Sequence, residues 1–226
     1  MAGSNQAGLG RISSHSFTLQ HARPYLISDL GISSVSLQVA MARGALGTVL
    51  SHHGINGLGY TSAWVAYGMK LHTGLTAGLG LHFWSSRIPE QFMYHPGFSF
   101  AAGLQLEVND QLTLGAHVRH PAGWYSPAPN KRPRPMTVTT GGSLSLFTQA
   151  TYFAELEFTT GCPLQWKQGL EWIAGQGIKM QFGIHNQPFT VSGGIQVTHN
   201  HWNIHAAITY GTNAGSTPST SFSYGW

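Results

Sequence analysis

The chain has 226 residues, of which only 8% are charged: 11 Lys plus Arg against 7 Asp plus Glu, a formal net charge of +4. A soluble globular domain carries about 25% charged residues, so an ordinary water-soluble enzyme is excluded, while 42% hydrophobic and 12% aromatic residues exclude disorder. Mean hydropathy is −0.07, and no run approaches the roughly 20 apolar residues of a membrane helix. The class left is an all-β, antiparallel transmembrane barrel, whose apolar lipid-facing and polar lumen-facing residues cancel in any average.

From the N-terminus, weak alternation marks strands near residues 13–22, 31–41, 45–52 and 58–71. The pattern then sharpens: Leu75, Ala77, Leu79, Leu81 and Phe83 alternate with Thr76, Gly78, Gly80 and His82. The same period of two runs through Phe98 to Val108, Leu112 to Val118, a weaker 136–146, and Tyr152 to Phe158. It continues through a weaker 163–173, then Ile178 to Ile184, Phe189 to Val197 and Trp202 to Tyr210. Helices would repeat at three and four instead. The reading is a meander of about 14 strands, each near the roughly 9–11 residues a tilted membrane strand needs.

Connections support it. The even ones are tight, as at Ala42-Arg43-Gly44, His72-Thr73-Gly74 and Gly175-Gln176-Gly177. The two longest, Ser85 to Pro96 and Pro121 to Pro135, are both odd. Short periplasmic turns and longer extracellular loops are the outer-membrane asymmetry. A soluble β-sandwich also alternates, but its wet face needs Lys and Glu, and here those positions hold Gly, Ser, Thr, His and Gln. The expected location is the outer membrane of a Gram-negative bacterium, with outer-membrane lipid as the surrounding partner. Residues 1–12 form an N-terminal segment and residues 13–226 the barrel. Met1 to Gln6 has neither the basic nor the apolar region of an export signal, so a mature chain, or a start lying further upstream, is expected.

In this register Glu107, Arg119, Glu155, Glu157, Lys167, Glu171 and Lys179 point into the lumen. A turn centred on Cys162 sets Glu157 opposite Lys167, and one centred on Gly175 sets Glu171 opposite Lys179. Such cross-strand pairs can be a salt-bridged filling or the lining of a solute path. The 13 histidines suggest no metal centre. His52 and His53 project to opposite faces, His199 and His201 straddle a turn with His205 beyond, and no thiolate or carboxylate spacing accompanies them. Ser16, Ser51 and Ser85 have histidines nearby but no acid to complete a triad. Gly78-Leu79-Gly80 sits within a strand and not at a phosphate-binding turn. No catalysis, cofactor or nucleic-acid partner is expected. The lone Cys162 forbids an internal disulfide.

At the end of the chain Phe222, Tyr224 and Trp226 alternate with Ser223 and Gly225. This looks like the terminal signal by which the barrel-assembly machinery recognises outer-membrane barrels, and it also suits an interfacial aromatic girdle.

Asn5-Gln6-Ala7-Gly8-Leu9-Gly10 resembles the Asn-Pro-Ala-Gly-Leu-Ala element of FadL/OmpP1-like barrels, particularly the Bacteroidetes PorV/PorQ-like branch. Ala66 to Leu71 with Leu75 to Leu79, Gly115 to Pro121, and Ala154 to Glu157 leading to Gln168 to Trp172 are similar to that branch as well. Gln6 stands where proline is usual, and the residues that normally precede the element are not in this sequence. The resemblance implies that residues 1–12, with the motif Asn5, Ala7, Gly8 and Leu9, are the remnant of a plug or hatch. It implies a partner or anchor subunit of a secretion or assembly complex, with other secretion-complex subunits as partners. The wider family implies instead a passive transporter of hydrophobic or small solutes.

Overall fold

Strands crossing lipid must satisfy every backbone N–H and C=O among themselves, which demands a sheet without edges. The computed structural model describes residues 4–55, 58–88, 93–125, 135–212 and 215–226 and meets that demand. Its strands are β1 (Ser16–Ala22), β2 (Ile32–Met41), β3 (Gly44–Ile55), β4 (Leu58–His72), β5 (Leu75–Ile88), β6 (Met93–Glu107) and β7 (Leu112–Tyr125). They continue as β8 (Thr137–Phe147), β9 (Ala150–Thr159), β10 (Gln165–Gly175), β11 (Ile178–Asn186), β12 (Phe189–His199), β13 (Trp202–Gly211) and β14 (Gly215–Gly225). Each pairs with its neighbours in the chain, and β1 pairs with β14 to close the barrel. At the seam Phe17 faces Tyr224 and Leu19 faces Phe222. The His15 and Trp226 main chains exchange N–H···O bonds of 3.0 and 3.1 Å just beyond it.

The packing is inverted relative to a soluble protein. Leu50, Leu79, Leu104, Phe158, Phe182 and Ile204 are all more than half exposed on the outer surface. Leu9, Ala45 and Ala66 form a small buried apolar cluster inside. Outer apolar and inner polar positions alternate because successive side chains leave opposite faces of a strand.

Two expected loops are shorter than the sequence suggests. The ladder of β5 with β6 runs past Ser85 and Pro96 to Ile88 opposite Met93. Strand β7 continues past Pro121 to Tyr125. It does so through a bulge: Ser99 faces Gly123 while Ala101 faces Arg119, and His120 takes a left-handed φ of 54°. A proline that lacks an N–H is tolerated at such a bulge. Residues 126–134 of the expected Pro121 to Pro135 loop lie outside the described residues. The tight turns fall where the alternation places them, for example between Met41 and Gly44 and between His72 and Leu75.

Candidate functional site

The lumen has two unlike walls. Against β3 to β6 lies the N-terminal segment, a 3-10 helix at Gln6–Arg11. The Asn5 side chain caps it, accepting the Ala7 N–H at 3.0 Å, while its amide donates to the carbonyls of Leu104 at 3.0 Å and Ala116 at 3.4 Å. The Gly8 N–H donates to the Asn5 carbonyl at 3.2 Å. Gln6, Ala7 and Leu9 are fully buried, with Leu9 packed against Ala45 and Ala66. So close an approach needs a wall without side chains. A Cβ on Gly68 would collide with Gln6 and Leu9, one on Gly78 with Gln6 and Ala7, and one on Gly103 with the Asn5 amide. Glycine here serves the approach of one backbone to another.

The opposite wall, β7 to β11, carries charge. Lys167 Nζ donates to Glu155 Oε1 at 2.8 Å and to Glu157 Oε2 at 2.9 Å. Arg119 Nη2 lies 3.5 Å from Glu157 Oε2. Further along, Lys179 Nζ donates to Glu171 Oε1 at 2.9 Å, and the Gln181 amide donates to Glu171 Oε2 at 3.0 Å.

The expected registers need correction. Lys167 is opposite Glu155, and Glu157 is opposite Gln165. Glu171 is opposite Gln181, not Lys179. The cause is turn chemistry. The first turn centres on Gly161, at φ +81°, and not on Cys162. The second uses Gly177 at φ +77°, and the ladder is shifted between Ile173 and Gly175. The ion pairs form nonetheless, because long side chains reach the diagonal neighbour.

Glu107 stands apart from the other six charges. It sits at the periplasmic end of β6 and binds Arg11 at 2.6 Å. Arg11 lies outside every strand, so period-two reading had no means of pairing it.

A further lumen feature escaped the sequence reading. Trp64 and His82 face each other across β4 and β5 and stack with ring centroids 4.1 Å apart and planes 7° apart. Trp84 and His120 close the group, 5.1 and 5.5 Å from His82, and His120 is hydrogen-bonded to the buried Ser99. Among the described residues, no three His, Cys, Asp or Glu side chains come together as a metal site.

On the outer surface Tyr224 packs on Trp202 at 4.5 Å and stacks on Trp226 at 5.9 Å. Phe222 lies 5.0 Å from Trp202. The three terminal aromatics thus belong to one cluster on the closing strands.

Cavities among the described residues follow from this layout. One of about 570 Å³ is lined by Asn5, Gln105, His117, Glu155, Lys167 and Glu171. Outer-face residues Gly142, Ala154 and Gln168 line part of it too, because Gly115, Gly141 and Gly169 leave the wall one backbone thick. A second, of about 520 Å³, lies at the periplasmic end among Arg11, Arg43, Lys70 and Glu107. A third, about 640 Å³, is an apolar groove on the lipid face between Tyr67, Leu79, Leu104 and Val138.

The sequence matches no protein-family model and no curated protein. Solved structures do resemble the fold. The CymD monoaromatic hydrocarbon channel aligns over 99% of this chain and 91% of its own, with a TM-score of 0.72 and 12% identity. The Pseudomonas putida toluene transporter TodX aligns over 99% and 92%, with 0.72 and 10%. The KdgM porin aligns over 93% and 99%, with 0.55 and 12%. The fold is therefore that of an outer-membrane β-barrel, which locates the chain in the Gram-negative outer membrane. These structural neighbours are a channel, a transporter and a porin.

Proposed function

We propose that the protein is a passive outer-membrane channel for small solutes, FadL-like in the wide sense. In this reading residues 1–12 act as a plug-like segment, and the β7 to β11 wall is the passage side. One observation carries it: a segment seated on a glycine wall leaves a charged wall facing a cavity of about 570 Å³. The hydrocarbon channel, the toluene transporter and the porin among the structural neighbours support passage. They favour it over the partner or anchor role in a secretion complex that the sequence led us to expect, and they lend nothing to the PorV/PorQ branch. Phe222, Tyr224 and Trp226 act in this reading as the assembly signal, their aromatic cluster being part of the strand that closes the sheet. Swelling of proteoliposomes in small isotonic solutes tests the proposal, using the full chain and a variant lacking residues 1–12. Swelling that rises on removing the segment supports it. Folded barrels that pass no solute in either form refute it.

A further inference from the structure

The charges of the passage wall are neither scattered nor sealed. Arg119, Lys167 and Lys179 alternate with Glu155, Glu157 and Glu171, and the segment reaches these strands only at β7, through the Asn5 amide on the Ala116 carbonyl. Their side chains keep 15% to 39% of their surface accessible; Glu155, Lys167 and Glu171 line the cavity of about 570 Å³, and Glu157 and Arg119 adjoin it through Lys167. On β6 to β8, Gln105 Oε1, His117 Nε2, Arg119 Nε and Thr139 Oγ1 are enclosed without a protein hydrogen-bond partner among the described residues. Buried polar atoms of this kind call for a polar companion. The large apolar groove is on the lipid face, and the large apolar side chain that β9 turns to the lumen cavity is Phe153.

We infer that the passage selects small hydrophilic solutes carrying both charges, zwitterions of the amino-acid type, with Arg119 and Glu157 as the pair that receives them. This rests on the channel reading and names its passenger class. An apolar solute would strip water from Glu155, Lys167 and Glu171, the charges that line the cavity, a cost that contact with Phe153 and its neighbours offsets only in part. A simple ion meets a wall on which each attracting group has a repelling one beside it, since Lys167 Nζ sits between two carboxylates. A zwitterion can instead set its carboxylate on a cation and its ammonium on the adjacent acid, leaving neither sign unpaired. Arg119–Glu157, at 3.5 Å, is the loosest pair of the ladder. Glu157 keeps Lys167 when Arg119 is drawn away, so that pair opens with least loss.

The test uses three solutes of nearly one shape: alanine (zwitterion), lactamide (neutral) and lactate (anion). Proteoliposomes holding the full chain should swell in alanine about tenfold faster than in the other two, the effect of one charge-assisted pair retained. In R119Q/E157Q, checked for folding by heat-modifiable migration, the ratio should fall to about one, since neither partner remains charged. Equal rates for all three solutes in the full chain, or faster lactate or lactamide, overturn the inference and leave the channel reading standing. No swelling in any solute, with or without residues 1–12, overturns the channel reading itself. The full-chain ratio decides the matter even if the double variant fails to fold.

Discussion

Replacing Lys167 with Met removes a cation while keeping most of its alkyl stem, and the structure sets the size of the loss. Lys167 Nζ holds Glu155 at 2.8 Å and Glu157 at 2.9 Å, and these carboxylates are 39% and 15% accessible. An exposed ion pair contributes about 0–1 kcal/mol, whereas stranding a fully buried charge costs about 3–5 kcal/mol. Glu155 can hydrate once Lys167 is gone, and Glu157 falls back on Arg119 at 3.5 Å. The expected destabilisation of Lys167→Met is therefore about 1–2 kcal/mol, between those limits. Its division is the sharper expectation. Glu155 is the directly opposed residue, yet Glu157 is the less accessible, so the coupling of Lys167 to Glu157 should exceed its coupling to Glu155. Denaturant unfolding in detergent micelles measures this with two double-mutant cycles, pairing Lys167→Met with Glu157→Gln and with Glu155→Gln. Absence of coupling in both cycles refutes the ladder. A loss of several kcal/mol would mean a dry, filled lumen and would count against a solute path.

Other perturbations probe the two ends of the same design. Gly78→Val places a side chain where Gln6 and Ala7 lie; the barrel should still fold, while residues 1–11 become sensitive to added protease, and an unchanged digestion pattern would contradict the seating. Asn5→Ala removes the bonds to Leu104, Ala116 and Ala7; it should loosen the segment by about 1–3 kcal/mol, read as faster hydrogen exchange at the Gly8 and Ile12 amides. Deleting Phe222 to Trp226 unpairs the seam partners of β1, and accumulation in the outer membrane, followed by fractionation, should be lost because open edges in lipid cost several kcal/mol per unsatisfied group. Cys162→Ser, at an exposed turn, should leave that accumulation unchanged.

The strand pattern was legible because lipid and lumen impose opposite chemistry on neighbouring residues, and period two records that contrast along every strand. Cross-strand partners were legible only where the turn was. A turn centred on Thr73 sets Trp64 opposite His82, as observed, so the stacked pair could have been read from the tight turn at His72-Thr73-Gly74. The two charge pairs slipped in register because Gly161 and Gly177, both at positive φ, decide where their turns close, and neither composition nor alternation says which glycine will. The extension of β7 beyond Pro121 was hidden for a similar reason: His120 absorbs the irregularity in an uncommon conformation. Arg11–Glu107 had no signal at all, since a segment without periodicity carries no register.

The unlike walls make the N-terminal segment energetically separable from the barrel. The barrel is held by ladders that run from strand to strand around a closed sheet, and none of those bonds passes through residues 5–12. The segment is held by contacts of its own, among them the Asn5 amide bonds, the burial of Gln6, Ala7 and Leu9 and the Arg11–Glu107 pair. Because glycines line its seat, leaving that seat opens space without forcing any wall side chain to repack. Bringing Arg11 away from Glu107 exposes a carboxylate that is already 48% accessible, so water can replace the lost partner at small cost. Displacing the segment is thus a local opening distinct from unfolding, and it costs the re-exposure of Gln6, Ala7 and Leu9. A plug-like role requires that separation, and a segment woven into the ladder would not allow it.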